Sequence, residues 1–281
     1  MMRAALVLNA RSGTLVALPG GPGALVGAVR AAFDLAHEPS PDRAIDAQIE
    51  AALATGAKVV LVAGGDGTIG AVAARLAGTD IALGVIPGGT MNRLAARLGL
   101  PADPMQAVAA LAEATAVTLP AAFIDGRLFL YQALIGPPTR LVRFREMQRS
   151  RGAGWLPLAR AALRALLRPT HRSIRVSVGG LRIRGVAAAV TVPLPDAEAP
   201  ALQVEVIERT GILAGLRQVA LWIRGRLAEA PAVAPLAARR LLVSGRTRRI
   251  RASLDGEMVL LDPPARIRLH PAALRALAPR P

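Results

Sequence analysis

Apolar residues along this chain gather in short runs that stop at glycine. Val59-Val60-Leu61-Val62-Ala63 follows the charged Lys58 and ends in Gly64-Gly65-Asp66-Gly67-Thr68. An unbroken apolar run with three valines predicts a strand covered on both faces, since a half-exposed strand would alternate. Residues 81–86 repeat the pattern, interrupted at Gly84, and open into Pro87-Gly88-Gly89-Thr90-Met91-Asn92. Helical spacing follows each loop, over 69–76 and over 93–98. Residues 4–8 predict a first strand that ends at Asn9-Ala10-Arg11-Ser12-Gly13, and helical spacing recurs over 24–33, 42–54 and 105–112. The stretches 19–23 and 37–41 are rich in turn residues and read as loops. Successive strand–loop–helix units imply parallel strands whose C-terminal ends meet at one sheet edge.

Beyond residue 121 the texture changes to short apolar runs without helical spacing between them, which predicts antiparallel strands and a second domain. Residues 124–130 read as a hairpin turning at Asp125-Gly126. Further strands are expected over 173–178, 181–189, 201–207, 239–243, 250–254 and 258–261. The most basic part of the chain, 140–168, contains a helical pattern over 155–167. It sets Trp155, Leu158 and Leu166 on one face and Arg160, Arg164 and Arg168 on another. Two readings fit that pattern, a helix packed on its own domain and a helix lying on an anionic bilayer. Residues 213–227, with Trp222, Arg217 and Arg224, are a weaker second instance.

Composition narrows the classes. The chain is 53% hydrophobic over 281 residues, enough for two ordinary cores, whereas aromatics at 2% give little to stack on bases. Nucleic acid is therefore not an expected partner. A formal charge of +16 rests almost wholly on arginine, Lys58 being the only lysine, and anionic membrane surfaces and nucleotide phosphates are the natural counterparts. The absence of cysteine excludes disulfides and thiolate metal sites and fits a reducing compartment. Asn9 and Arg11 cut the first apolar stretch too short for a leader peptide, and no uncharged run is long enough to span a bilayer. A cytoplasmic protein, peripheral at the inner membrane face, is the expectation. His37, His171 and His270 are scattered, without metal spacing.

The chemistry concentrates in the two glycine loops. Glycine lets backbone N–H groups approach an anion, and a following helix start adds unpaired donors and a favourable dipole. Asp66 is out of place beside a phosphate unless a divalent cation lies between them or the carboxylate handles a proton. Its plainer reading is a helix cap. A Walker-type loop is excluded, because its lysine follows the glycines and Lys58 precedes them. Asp255 and Glu257 stand on one side of an extended strand if no turn intervenes; the Asp255-Gly256 pair equally reads as a hairpin turn.

Gly64-Gly65-Asp66-Gly67-Thr68, then Pro87-Gly88-Gly89-Thr90-Met91-Asn92 and 94–101, resemble the catalytic domain of the diacylglycerol kinase family, which includes sphingosine, ceramide and bacterial phosphatidylglycerol kinases. Leu8-Asn9-Ala10-Arg11-Ser12-Gly13 and Leu254-Asp255-Gly256-Glu257 resemble that family's opening and closing motifs. The four matches keep the family's order across nearly the whole chain. The resemblance implies an α/β plus β protein: an N-terminal Rossmann-like three-layer α/β domain over 1–121, a β-sandwich over 122–265, and a C-terminal segment from about 266 packed back on the first domain. It implies an ATP-dependent, Mg²⁺-assisted transfer to a lipid hydroxyl. Nucleotide would be held by Asn9, Gly64, Gly65, Asp66, Gly67, Thr68, Gly88, Gly89, Thr90 and Asn92, with metal at Asp66 and Asp255. Glu257 would be the proton acceptor, with Asp255 and Asp66 as its catalytic companions. Ser12 and Ser40 are further nucleotide contacts it suggests.

The chain departs from the family at Gly70 and Ala71, where relatives carry Asn or Asn-Glu, and at 191–195 and 199–203, where a metal-linked Asp-Gly segment is replaced. Two alternatives stay open on sequence alone, an NAD kinase-like enzyme and a non-catalytic relative that binds anionic lipid or nucleotide. The identity of the lipid and the oligomeric state, a homodimer included, are not legible.

Overall fold

The computed structural model describes residues 1–136, 174–194, 197–207 and 236–280. They fall into two compact units, 1–120 with 271–281, and 121–270. The basic segments 140–168 and 213–227 lie outside the described residues, as does His171.

The first unit runs β1 (Arg3–Leu8), α1 (Gly13–Val16), α2 (Gly21–Ala32), β2 (Asp34–His37), α3 (Ile45–Ala54), β3 (Val59–Gly64), α4 (Asp66–Leu76), β4 (Ala82–Pro87), α5 (Arg93–Arg97) and α6 (Pro104–Ala112). Its strands pair in parallel in the order β2-β1-β3-β4. Right-handed crossovers explain the layers: β1 to β2 moves one way and β2 to β3 the other, so α2 lies on one face and α3 and α4 on the opposite one. The packing agrees, since α2 rests on α6 and α3 on α4. All six residues of β3 and of β4 are buried. Each such Val, Leu or Ile side chain contributes roughly 1.5–3 kcal/mol.

Three elements differ from expectation. The 37–41 turn is preceded by a strand, β2, whose four residues are exposed or half-buried and so carry no apolar signature. Helix α2 starts at Gly21, inside the expected loop, because Gly20 at φ 77° supplies the entry bend and Pro22 suits a first turn. The C-terminal segment forms one strand of the chain that serves both units. It is labelled here after β5 (Thr115–Ile124), β6 (Arg127–Phe129), β7 (Gln132–Ile135), β8 (Ile174–Val178), β9 (Leu181–Gly185), β10 (Ala187–Thr191), β11 (Leu202–Ile207), β12 (Leu236–Ala238), β13 (Arg240–Gly245), β14 (Ile250–Leu254) and β15 (Glu257–Leu261), as β16 (Ala265–Ala278). Its end joins the first unit's sheet beside β4, through Arg275 opposite Ala82, while its start belongs to the second unit beside β13.

The second unit is a β-sandwich. One sheet holds the start of β16 with β13, β8 and β9, and the other is ordered β12-β11-β10-β7-β14-β15. Between them Val176, Val243 and Ile267 from the first sheet meet Val190, Val204 and Ala252 from the second in one apolar core. The hairpin at Asp125-Gly126 forms, with Ile124 opposite Arg127 and both turn residues at positive φ. The single strand expected over 181–189 is instead two: β9 pairs with β8, whereas β10 pairs with β7 and β11 in the other sheet. The chain changes sheets at Val186, against which Gly136 lies so closely that a Cβ there would stand 2.6 Å from the Val186 carbonyl oxygen.

Candidate active site

In the first unit the strand order reverses direction between β1 and β3, and in sheets of this kind ligands bind beyond the strand ends at that point. The loops after β1, β3 and β4 converge there. Asn9, just past β1, donates through Nδ2 to the Thr68 hydroxyl at 2.9 Å and accepts the Arg11 N–H on its own Oδ1 at 3.2 Å. The Thr68 hydroxyl hydrogen is left to donate onward. The two glycine loops touch backbone to backbone. Gly88 N–H donates to the Gly64 carbonyl at 2.9 Å, and a Cβ on Gly89 would sit 2.7 Å from the Gly65 Cα.

Asp66 opens α4, where the helix dipole favours its charge. Its Oδ1 accepts the Arg93 N–H at 2.9 Å, so the carboxylate also caps α5 and ties the second loop to the first. Asn92 adopts a left-handed conformation, φ 47°, and its Oδ1 accepts the Gly89 N–H at 2.8 Å, bracing the loop from within. Asp66 Oδ2 has no partner among the described residues. The first-turn N–H groups of α4, from Asp66, Gly67 and Thr68, lack intrahelical acceptors by construction. The result is a rigid edge that offers several donors and one carboxylate oxygen. Thr90 lies exposed on the second loop.

Three contributors carry no sequence signal. Thr14 donates its hydroxyl to the Gly89 carbonyl at 3.2 Å, and Leu15 fills the space against Gly88. Gln48, buried in an alanine-rich helix, accepts the Leu8 N–H on Oε1 and donates through Nε2 to the Leu8 and Arg43 carbonyls. It thereby fixes the end of β1 from which Asn9 projects. A lone Gln among alanines gives no hint of this; only the fold brings it under Leu8.

The second unit holds the other predicted residues. Asp255 and Glu257 are not on one extended strand, because Asp255 at φ 51° and Gly256 at φ 106° turn the hairpin between β14 and β15. The Asp255 carboxylate accepts three backbone N–H groups, from Leu130 at 2.6 Å on Oδ2 and from Tyr131 and Gln132 at 2.9 Å on Oδ1. That is the work of a structural clamp on the approach to β7. Glu257 is the exposed first residue of β15.

No group of three or more His, Cys, Asp or Glu able to hold a metal occurs among the described residues. The donor set therefore does not build an all-protein metal cage. It does fit Mg²⁺ held by one carboxylate oxygen together with substrate phosphates and water, the usual manner for that ion, and Asp66 Oδ2 is the oxygen in question.

The fold, a parallel α/β sheet followed by a β-sandwich, is shared with solved bacterial structures. Superposition on the crystal structure of a diacylglycerol kinase from Bacillus anthracis strain Sterne gives a TM-score of 0.69 at 19% identity, covering 98% of this chain and 96% of that one. The family model of the diacylglycerol kinase catalytic domain matches residues 3–122. A diacylglycerol kinase of Mycobacterium tuberculosis is 48% identical over 61 residues, 22% of this chain and 20% of that protein. A probable lipid kinase, YegS-like, of Pseudomonas aeruginosa is 38% identical over 90 residues, 31% of this chain and 30% of that protein. The matched stretches thus span a fifth to under a third of these relatives' lengths. Among the described residues no helix is long and apolar enough to cross a membrane.

Proposed function

We propose that this protein is an ATP-dependent lipid kinase that transfers the γ-phosphate to a hydroxyl of diacylglycerol or a similar lipid. The observation that carries the reading is the double glycine loop locked by Asp66, Asn92 and Thr14 at the switch point of a sheet whose segment matches the diacylglycerol kinase catalytic-domain model. Phosphoryl transfer asks a protein mainly to position phosphates and offset their charge. The unpaired N–H groups of the α4 start and the Thr68 hydroxyl would bind phosphate oxygens, and the tight loop contacts would keep those donors fixed. Mg²⁺, when bound, supplies charge neutralisation at the phosphates, and Asp66 would hold it. Glu257 would accept the proton of the attacking lipid hydroxyl, a role its exposure permits and its motif suggests. Asp255 enters only as the support of the hairpin that presents Glu257.

The test is transfer of labelled γ-phosphate from ATP with Mg²⁺ into diacylglycerol and related lipids in mixed micelles. Wild type should yield labelled phospholipid. Asp66→Ala and Glu257→Gln should each lower turnover by at least about 10²-fold, the usual scale for an acid–base group, with Glu257→Gln still binding nucleotide. Transfer to NAD in place of lipid, or full activity in both variants, would overturn the proposal.

A further inference from the structure

The outer face of the sandwich sheet formed by β9, β8, β13 and the start of β16 is arginine from edge to interior. Residues directly opposite across a pair share a face, and every second residue along a strand returns to it. Arg175 on β8 stands opposite Arg184 on β9, and Arg240 on β13 opposite Arg268 on β16. Arg182 and Arg266 complete the grid through their partners Ser177 and Leu242. All six arginines are exposed, while the intervening Val176, Val243 and Ile267 point into the core. None of the face positions on the four strands is acidic; Ser177, Leu242, Ser244 and His270 occupy the rest. Asp125 accepts the Arg266 backbone N–H, and no ion pair to these six guanidiniums occurs among the described residues.

Like charges directly opposite in a sheet repel and destabilise it, and two such pairs here are left without counter-charge. Guarding an open sheet edge against mispairing would explain charge on β9 alone, yet the arginines continue three strands inward. A cavity of about 460 Å³ opens among Arg175, Arg184, Ser244 and Arg246, large enough for a phosphate-bearing group to sit between guanidiniums that match its oxygens bidentately.

We propose that this arginine face is a docking surface for the phosphate headgroups of an anionic membrane, with Arg175, Arg184 and Arg268 at its centre. A membrane suits it better than nucleic acid, because the face is a two-dimensional grid of guanidiniums across four strands, and Phe123, the aromatic ring at its border, is packed edge-on against His270 and offers no open platform for stacked bases. The inference stands on the second unit alone and does not depend on the kinase reading.

The experiment is co-sedimentation of the full chain with phosphatidylcholine vesicles, with and without phosphatidylglycerol. Wild type should bind only the anionic vesicles. The triple variant Arg175→Gln, Arg184→Gln, Arg268→Gln should bind them on the order of a hundredfold more weakly, about fivefold per guanidinium. A control triple variant in the first unit, Arg3→Gln, Arg43→Gln, Arg280→Gln, should bind as wild type does. Equal loss in both triples would show an unlocalised charge effect and overturn the proposal, as would wild-type binding by the first. Tighter binding to a DNA duplex than to anionic vesicles, lost in the first triple alone, would reassign the face to nucleic acid. Thermal melting no lower than that of wild type in either variant verifies the fold, the first triple being free to rise as like charges facing each other are removed, and binding read without turnover separates this outcome from any failure of the kinase assay.

Discussion

Gly89 shows how little freedom the site leaves a single residue. Its missing Cβ would meet the Gly65 Cα, which is backbone held between the end of β3 and the start of α4. At Gly84 the nearest obstacle is closer, 2.4 Å, but it is the Leu61 Cδ2 methyl, the far end of a side chain that can rotate. Gly89→Ala should therefore separate the two loops and break the Asn92 and Thr14 contacts to residue 89, whereas Gly84→Ala should disturb packing and leave the loops in place. Titration calorimetry with ATP is the check: binding should fall at least about tenfold for Gly89→Ala, the equivalent of one lost hydrogen bond or more, and change far less for Gly84→Ala. At this scale the sequence was informative about which residues matter, since glycine where an apolar strand ends is a visible oddity. Thr14 and Gln48 were not visible, because a hydroxyl or amide has meaning only once its acceptor, forty or more positions away, is known.

Among the elements, the β14–β15 hairpin is the one whose reading changed most. Alternation in an uninterrupted strand would have set Asp255 and Glu257 side by side, but Asp-Gly at positive φ made the turn instead, and Asp255 was turned back onto the start of β7. Asp255→Ala removes an acceptor shared by three N–H groups. It should cost about 1.5–3 kcal/mol, the value of a hydrogen bond to a charged group, measurable as a lower urea midpoint. Were Asp255 chiefly a catalytic group, turnover would vanish with the midpoint unchanged. The division of 181–189 into β9 and β10 belongs to the same scale. A nine-residue stretch of apolar and basic residues has no local mark of where one sheet ends and the other begins, and Gly185 alone does not announce it.

Across the whole molecule, the charge of +16 acquires a location. The described arginines are not spread evenly: one sandwich face collects six of them, whereas Arg30, Arg75 and Arg249 are paired with carboxylates. Docking by an unpaired array is electrostatic and should be screened. Raising salt from about 0.15 M to about 1 M shortens the Debye length from about 8 Å to about 3 Å, and sedimentation with anionic vesicles should then be lost. Persistence of binding in high salt would point to insertion of apolar side chains as the dominant force. The sequence by itself determined the strands β1, β3 and β4 with the helices that follow them, the two glycine loops and the change to antiparallel strands near residue 121, because those features are written in local periodicity and in where glycine interrupts it; the edge strand β2 left no such mark. Only the tertiary structure decided that Asp66 joins the loops, that Asp255 clamps a neighbouring strand, and that arginines from four strands share one face. Those are facts of register and turn geometry between residues distant in the chain, and a shift of one position in any pairing would have sent the same side chains to the opposite side of the sheet.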